Sequence, residues 1–278
     1  MRNPSEYRTK LKPIFCTGCG DYGVMASLQQ AFATLNLEPE NIALISGIGC
    51  SSRMPDFFRT YGFHTVHGRP LPAAMGVKLA NPNLTVLVTA GDGDAYAIGG
   101  GHFIHAARQN PDLTYIVMDN EIYGLTKGQF SPTSPEKLKT GSSPYGVIEE
   151  PLNPLAMAIS YGASFIARGY AGKIKPLAEL FIQAIHHPGF AFIDVLSPCA
   201  TFYDTYKIIT PRIIDVPASH NVEDKSAAFQ LAQETEKIYL GIFYQVKKPT
   251  LEEKLQTIRQ QAQKDGKGDI QKLLSKFR

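Results

Sequence analysis

Two sets of residues in this chain could do chemistry. The first is Gly91-Asp92-Gly93, followed after a helix-length segment by Asp119-Asn120. A carboxylate and an amide oxygen are ligands for a hard cation such as Mg²⁺, alongside backbone carbonyls and substrate phosphates. Gly91 and Gly93 let the backbone approach a phosphate closely, and the N-terminus of a following helix favours its negative charge. The second set is Cys16, Cys19, Cys50 and Cys199, the four cysteines of the chain. Four thiolates can hold a tetrahedral zinc ion or a [4Fe–4S] cluster. A structural zinc site usually shows two close pairs. Here one CxxC is joined by two remote single cysteines, which favours the cluster.

The segments around these residues determine where they can meet. Leu84 to Ala90 is an apolar run rich in β-branched residues, which predicts a buried strand just before Asp92. A helix should follow Gly93 and end near Asn110-Pro111. A second strand, Leu113 to Met118, precedes Asp119-Asn120. Asn41 to Gly49 predicts a strand ending before Cys50, and Phe190 to Leu196 one ending before Ser197-Pro198-Cys199. In a parallel sheet with crossover helices the carboxyl ends of the strands share one edge, where ligands bind. Asp92, Asn120, Cys50 and Cys199 should therefore face one another.

The rest of the chain fits an α/β fold, a mostly parallel sheet flanked by helices. Residues 1–15 read as an extended arm. Helical spacing covers Tyr22 to Leu35, Pro70 to Leu79, Pro154 to Tyr161 and Ile174 to His187, with a further strand at Ser164 to Ala167. Residues 123–146 are rich in Gly, Ser, Thr, Pro and Lys. They form a long loop of the kind that carries function. Beyond Thr210 the alternation stops. Val222 to Tyr244 reads as helical, and Leu251 to Phe277 as an amphipathic tail. These patterns divide the chain into a cofactor domain, 1–205, and a C-terminal helical extension, 206–278.

Composition narrows the function classes. The 278 residues are 44% apolar and 19% charged, as in ordinary globular proteins. A net charge of +3 is too small to argue for nucleic acid. No apolar run approaches the roughly 18 residues that suggest a membrane span. The first residues lack the apolar core of a signal peptide, so a cytoplasmic protein with reduced thiols is expected.

Longer motifs carry a family resemblance. CTGCGDYG, SGIGCSS, HGRPLPAAMGVKLANP, GDGDAYAIGGGHFIHAARQN, DNEIYGLTKGQFSPTSP and SPCATF resemble the β subunit of the 2-oxoacid:ferredoxin oxidoreductases, nearest to the 2-oxoglutarate type. The likeness covers roughly residues 10–205. It implies the thiamine diphosphate-binding fold, with thiamine diphosphate, Mg²⁺ and one [4Fe–4S] cluster as cofactors. It implies Asp92, Asn120 and the carbonyl of Ile122 as Mg²⁺ ligands, and Cys16, Cys19, Cys50 and Cys199 on the cluster. Ile48, Gly49, Cys50, Ser51, His67, Gly91, Gly93, Asp94, Gly124 and Leu125 would line the cofactor. Asp119 stands where many members carry Asn. Arg53, Lys127 and Lys173 are candidates to meet a substrate carboxylate or coenzyme A.

The resemblance also implies a reaction: coenzyme A-dependent oxidative decarboxylation of a 2-oxoacid to an acyl-CoA and CO₂, reversible as carboxylation, with electrons passed to ferredoxin. It assigns this chain no catalytic acid or base. The glutamate that activates the cofactor belongs to a larger α subunit, in an αβ heterodimer or a dimer of heterodimers, so the isolated chain is expected to be inactive. The alternatives are a pyruvate or broad 2-oxoacid substrate, a non-redox thiamine diphosphate decarboxylase component, and a zinc-binding module in which Gly91-Asp92-Gly93 is only a turn.

Overall fold

The apolar runs become the strands of one sheet, and the amphipathic segments cover its two faces. The computed structural model describes residues 2–264 and 268–277. The strands are β1 (Ile42–Ser46), β2 (Tyr61–His64), β3 (Thr85–Gly91), β4 (Leu113–Asp119), the short hairpin β5 (Ile122–Tyr123) and β6 (Gln129–Phe130), β7 (Phe165–Tyr170), β8 (Phe190–Leu196), β9 (Ile213–Asp215) and β10 (Ile238–Gln245). The helices are α1 (Asp21–Thr34), α2 (Met54–Phe57), α3 (Pro70–Ala80), α4 (Gly100–Gln109), α5 (Pro154–Tyr161), α6 (Ile174–His186), α7 (Tyr206–Ile209), α8 (Lys225–Ala232), α9 (Leu251–Lys264) and α10 (Ile270–Leu274).

The sheet has eight strands in the order β2-β1-β3-β4-β8-β7-β10-β9. From β2 to β7 every pair is parallel, so the carboxyl ends of β1, β3, β4 and β8 lie on one edge as the sequence predicts. Alternate residues of each strand serve opposite faces. Leu44, Leu87 and Ile116 pack with α1 and α6, whereas Ile45, Val88 and Val117 pack with α3, α4 and α5. Both faces are covered, which explains why these strands read as continuous apolar runs.

Three local departures from expectation have physical causes. The segment after Asp92 is not a single helix. Gly93–Ile98 forms a π-helical turn, broken at Ala97, before α4 begins at Gly100. Beneath it Phe103 packs on Phe192 with ring centroids 4.8 Å apart, and α4 ends where Asn110 turns left-handed before Pro111. The amino-terminal arm is anchored, because Tyr7 is fully buried and its hydroxyl donates to the carbonyls of Phe32 and Leu37.

The third departure lies beyond residue 206. Val222 to Tyr244 is not one helix: α8 covers only Lys225–Ala232, and Ile238–Gln245 is a strand, β10, antiparallel to β7. The 206–278 segment thus adds β9 and β10 to the main sheet as well as helices. The expected tail is α9 and α10, with residues 265–267 of it outside the described residues. Among the described residues no helix is long and apolar enough to cross a membrane.

Candidate active site

At the carboxyl edge, the segments that follow β1, β3 and β4 line a small open cavity. Its lining is Ile48–Ser51, His67, Gly91–Asp94, Asn120 and Ile122–Thr126. Every residue expected to touch thiamine diphosphate or Mg²⁺ is therefore brought to one place. Tyr123 and Thr126 join them. Arg53, Lys127 and Lys173 do not line this cavity. Arg53 pairs with Asp56 at 2.7 Å, Lys127 is exposed at φ 75°, and Lys173 precedes α6 with its ammonium 3.6 Å from Asp215.

Buried carboxylates shape the walls. Asp94 Oδ1 accepts the N–H groups of Ile48 at 3.0 Å and Gly68 at 2.7 Å, and His67 Nδ1 lies 3.4 Å away. One side chain thus ties the loops after β1 and β2 to the start of the π-helical turn. A Cβ at Gly47 would sit 1.8 Å from Asp94 Oδ2, so only glycine admits this carboxylate. Gly93 is equally constrained: a Cβ there would lie 2.3 Å from the Tyr123 ring, whose hydroxyl donates to Gly93 O at 3.0 Å. Sequence reasoning did not single out Gly47 or Tyr123. Their partners lie tens of residues away.

Asp92 and Asp119 are both fully buried at the ends of β3 and β4. Thr133, from the 131–134 turn, places its hydroxyl oxygen 2.8 Å from Asp92 Oδ2 and 2.8 Å from Asp119 Oδ1. Burial pushes the Asp92 carboxyl up to about 6, even though the Ser131 and Thr133 hydroxyls favour its ionised form. Burial, with the charge of Asp92 beside it, holds Asp119 well above the ordinary carboxylate range. Burial also raises Glu121 to about 7. A hydroxyl has a single proton, so both contacts are satisfied when one acid is protonated.

These residues fit a divalent cation bound with a diphosphate. Asp92 supplies a buried carboxylate, and a cation would offset the burial that disfavours its charge. Asn120 Oδ1 accepts from Ile122 N–H at 3.0 Å, and an amide oxygen has a second lone pair for a cation. The glycines leave backbone along the cavity uncovered by side chains.

The thiols converge on the same wall, and Cys50 itself lines the cavity. A Cβ on Gly124 would be 3.7 Å from Cys199 Sγ and 3.9 Å from Cys50 Sγ, so both converge on a residue that lines the cavity. The CxxC turn closes through Cys19 N–H to Cys16 O at 3.0 Å and docks on the Cys199 loop through Gly20 N–H to Pro198 O at 3.0 Å. All four cysteines are unbridged. Burial pushes the Cys50 thiol up to about 11 and the Cys19 thiol higher still, and buried Asp21 adds to both. A metal that takes thiolates reverses that balance.

Zinc–sulfur bonds of about 2.3 Å require thiolates within about 3.8 Å of one another. Among the described residues no three His, Cys, Asp or Glu side chains converge tightly enough to hold one metal ion.

Comparisons with known proteins agree with this arrangement. Residues 47–195 match the family described as thiamine pyrophosphate enzyme, C-terminal TPP binding domain. Residues 199–260 match the family formed by the C-terminal part of the pyruvate ferredoxin oxidoreductase β subunit. The chain is 43% identical to 2-oxoacid:ferredoxin oxidoreductase 1, subunit beta, of Aeropyrum pernix, over 91% of this chain and 85% of that one. It is 41% identical to 2-oxoglutarate synthase subunit KorB of Methanocaldococcus jannaschii, over 88% and 92%. Its fold superposes with a TM-score of 0.95, at 41% identity over 99% of this chain and 95% of the other, on a 2-oxoglutarate:ferredoxin oxidoreductase from Magnetococcus marinus solved with 2-oxoglutarate, coenzyme A and succinyl-CoA bound. With a diphosphate-type cavity and a thiol set on either side of Gly124, and with such relatives along nearly its whole length, the chain belongs to the β subunits of the 2-oxoacid:ferredoxin oxidoreductases.

Proposed function

We propose that this β subunit is the cofactor-holding half of a 2-oxoglutarate:ferredoxin oxidoreductase. It converts the 2-oxoacid and coenzyme A to the acyl-CoA and CO₂ and releases electrons to ferredoxin. The observation that carries the reading is Gly124, which lines the cofactor cavity and has the Cys50 and Cys199 thiols against it. Thiamine diphosphate, when bound, supplies the electron sink for decarboxylation, and a [4Fe–4S] cluster supplies a one-electron acceptor.

The chain's own residues bind and orient. Asp92, Asn120 and the Ile122 carbonyl would hold Mg²⁺ on the diphosphate, and Cys16, Cys19, Cys50 and Cys199 the cluster. Tyr123 bonds to Gly93 and lines the cavity beside the proposed metal ligands. The Asp94 clamp keeps His67 at the rim. The α subunit supplies the glutamate that activates the cofactor, and the complex works in the cytoplasm, where the thiols stay reduced. The 2-oxoglutarate assignment is favoured over pyruvate by the relatives named for that substrate.

The test is anaerobic co-expression with the α subunit, followed by iron, sulfide and thiamine diphosphate analysis and viologen reduction. Equal iron and sulfide, with coenzyme A-dependent reduction faster on 2-oxoglutarate than on pyruvate, is the expected result. Thiamine diphosphate without iron would replace this reading with a non-redox decarboxylase component. Faster turnover of pyruvate would overturn the substrate.

A further inference from the structure

The turn from Ser131 to Ser134 lies outside the cofactor cavity, yet it reaches both strand ends that carry the metal ligands. Thr133 is 7% exposed and Ser131 and Ser134 less so. Ser131 N–H donates to Ser134 Oγ at 2.8 Å, and Ser134 Oγ in turn donates to the carbonyl of Glu121. Leu152 N–H donates to Pro132 O at 2.8 Å, which fixes the far side of the turn. The hydroxyl of Thr133 is thereby held between Asp92 Oδ2 and Asp119 Oδ1, 2.8 Å from each.

We propose that Thr133 is a positioning residue that sets the affinity and selectivity of the metal site; this rests on reading Asp92 and Asn120 as Mg²⁺ ligands. Two consequences follow from the contacts. First, Thr133 cross-links the end of β3 to the end of β4, so Asp92 and Asn120 are held at a fixed separation before any cation arrives. Second, the bond at Oδ2 fixes the rotation of the Asp92 carboxylate, which disfavours turning both of its oxygens onto one cation. Mg²⁺ takes carboxylates through one oxygen in a near-octahedral shell, whereas Ca²⁺ accepts two-oxygen coordination in a larger, looser one. A carboxylate tethered at one oxygen therefore favours the smaller ion.

Partners that orient metal-binding side chains typically change affinity by about 10–100-fold when removed. In the complex with the α subunit, stripped by chelation and reloaded with thiamine diphosphate, Thr133→Val should weaken Mn²⁺ binding by about that factor, read by the electron paramagnetic resonance of free Mn²⁺. It should also narrow the discrimination of Mg²⁺ over Ca²⁺, measured by competition against Mn²⁺. Thr133→Ser keeps the hydroxyl and should restore both. Saturating metal should return turnover of the valine variant close to that of the parent, although the lost buried hydroxyl lowers the melting temperature of the metal-free complex. If the valine variant fails to fold, Thr133→Ala against Thr133→Ser reads the same hydroxyl.

Parental Mn²⁺ affinity and parental Mg²⁺/Ca²⁺ ratio in the variant without the hydroxyl would overturn the proposal, as would equal loss in the serine variant. Asp92→Ala separates the two layers. If it too binds Mn²⁺ like the parent, the metal reading itself fails. If it loses Mn²⁺ while Thr133→Val does not, only the role of Thr133 fails.

Discussion

The two sides of the Ile122–Leu125 segment are built differently. On the cavity side, every acid at the strand ends is engaged before a ligand is present: Asp94 by two backbone N–H groups, Asp92 and Asp119 by Thr133. On the thiol side, the CxxC turn is braced by backbone bonds, but Cys50 and Cys199 meet only around the missing side chain of Gly124. The cavity is a hydrogen-bonded frame. The thiol side is a gathering of loops that relies on what it binds to draw the cysteines together.

The largest expected effect tests whether these sides are independent. Asp92→Ala removes a ligand from the framed side, so divalent-metal and thiamine diphosphate affinity should fall by more than roughly a hundredfold, while the iron content of the complex stays at the parent value. Iron lost together with the cofactor would make the two sides one cooperative unit. The reciprocal change is Cys199→Ser. Iron should drop to half or less and viologen reduction with it, while thiamine diphosphate is retained; full iron would exclude Cys199 as a ligand.

A pH series sharpens the contrast further. Asp92 and Asp21 at about 6, and Glu121 at about 7, sit above their ordinary values because burial disfavours their charge. For a raised carboxyl the folded chain holds a proton that the unfolded chain has released. The stability it contributes is fully present below about pH 4 and is lost as pH rises through 6 to 7. On the proposed assignment Mg²⁺ competes with the Asp92 proton. The rise in melting temperature that Mg²⁺ and thiamine diphosphate give the metal-free complex should therefore be small at pH 5 and grow to pH 8. A shift independent of pH would mean that the cation does not meet Asp92.

The smallest expected change is Tyr123→Phe. It deletes the 3.0 Å bond to Gly93 O but keeps the ring, and should cost about 1 kcal/mol in thermal or denaturant unfolding with little change in iron.

Much of this was legible because parallel sheets advertise themselves. The apolar runs before Asp92, Asn120, Cys50 and Cys199 mark strands, and topology alone puts their carboxyl ends together. Arg53, Lys127 and Lys173 are candidates by charge rather than by position on a strand, and none of them lines the cavity. Thr133 was hidden because its loop has no period: Ser, Thr and Pro read as turn formers, and nothing local says that one hydroxyl bridges two acids. Strand β10 was hidden by its neighbours. Lys225–Ala232 is strongly helical, and the pattern of Ile238–Gln245 is interrupted by Gly241 at φ 130° and by a bulge near Ile242. Where the family carries an amide, Asp119 is buried and accepts from the Thr133 hydroxyl at 2.8 Å.

The Asp94 clamp has a consequence for how a ligand binds. A cavity wall made of three separate loops would ordinarily have to be ordered by the incoming molecule, at an entropic cost that weakens affinity. Here one carboxylate has ordered it in advance, so association can be tight without the ligand touching most of what holds the wall in shape. The vulnerable point is then a residue outside the cavity. Gly47, buried behind Asp94, touches no ligand, yet any side chain there would displace the carboxylate and release both loops at once.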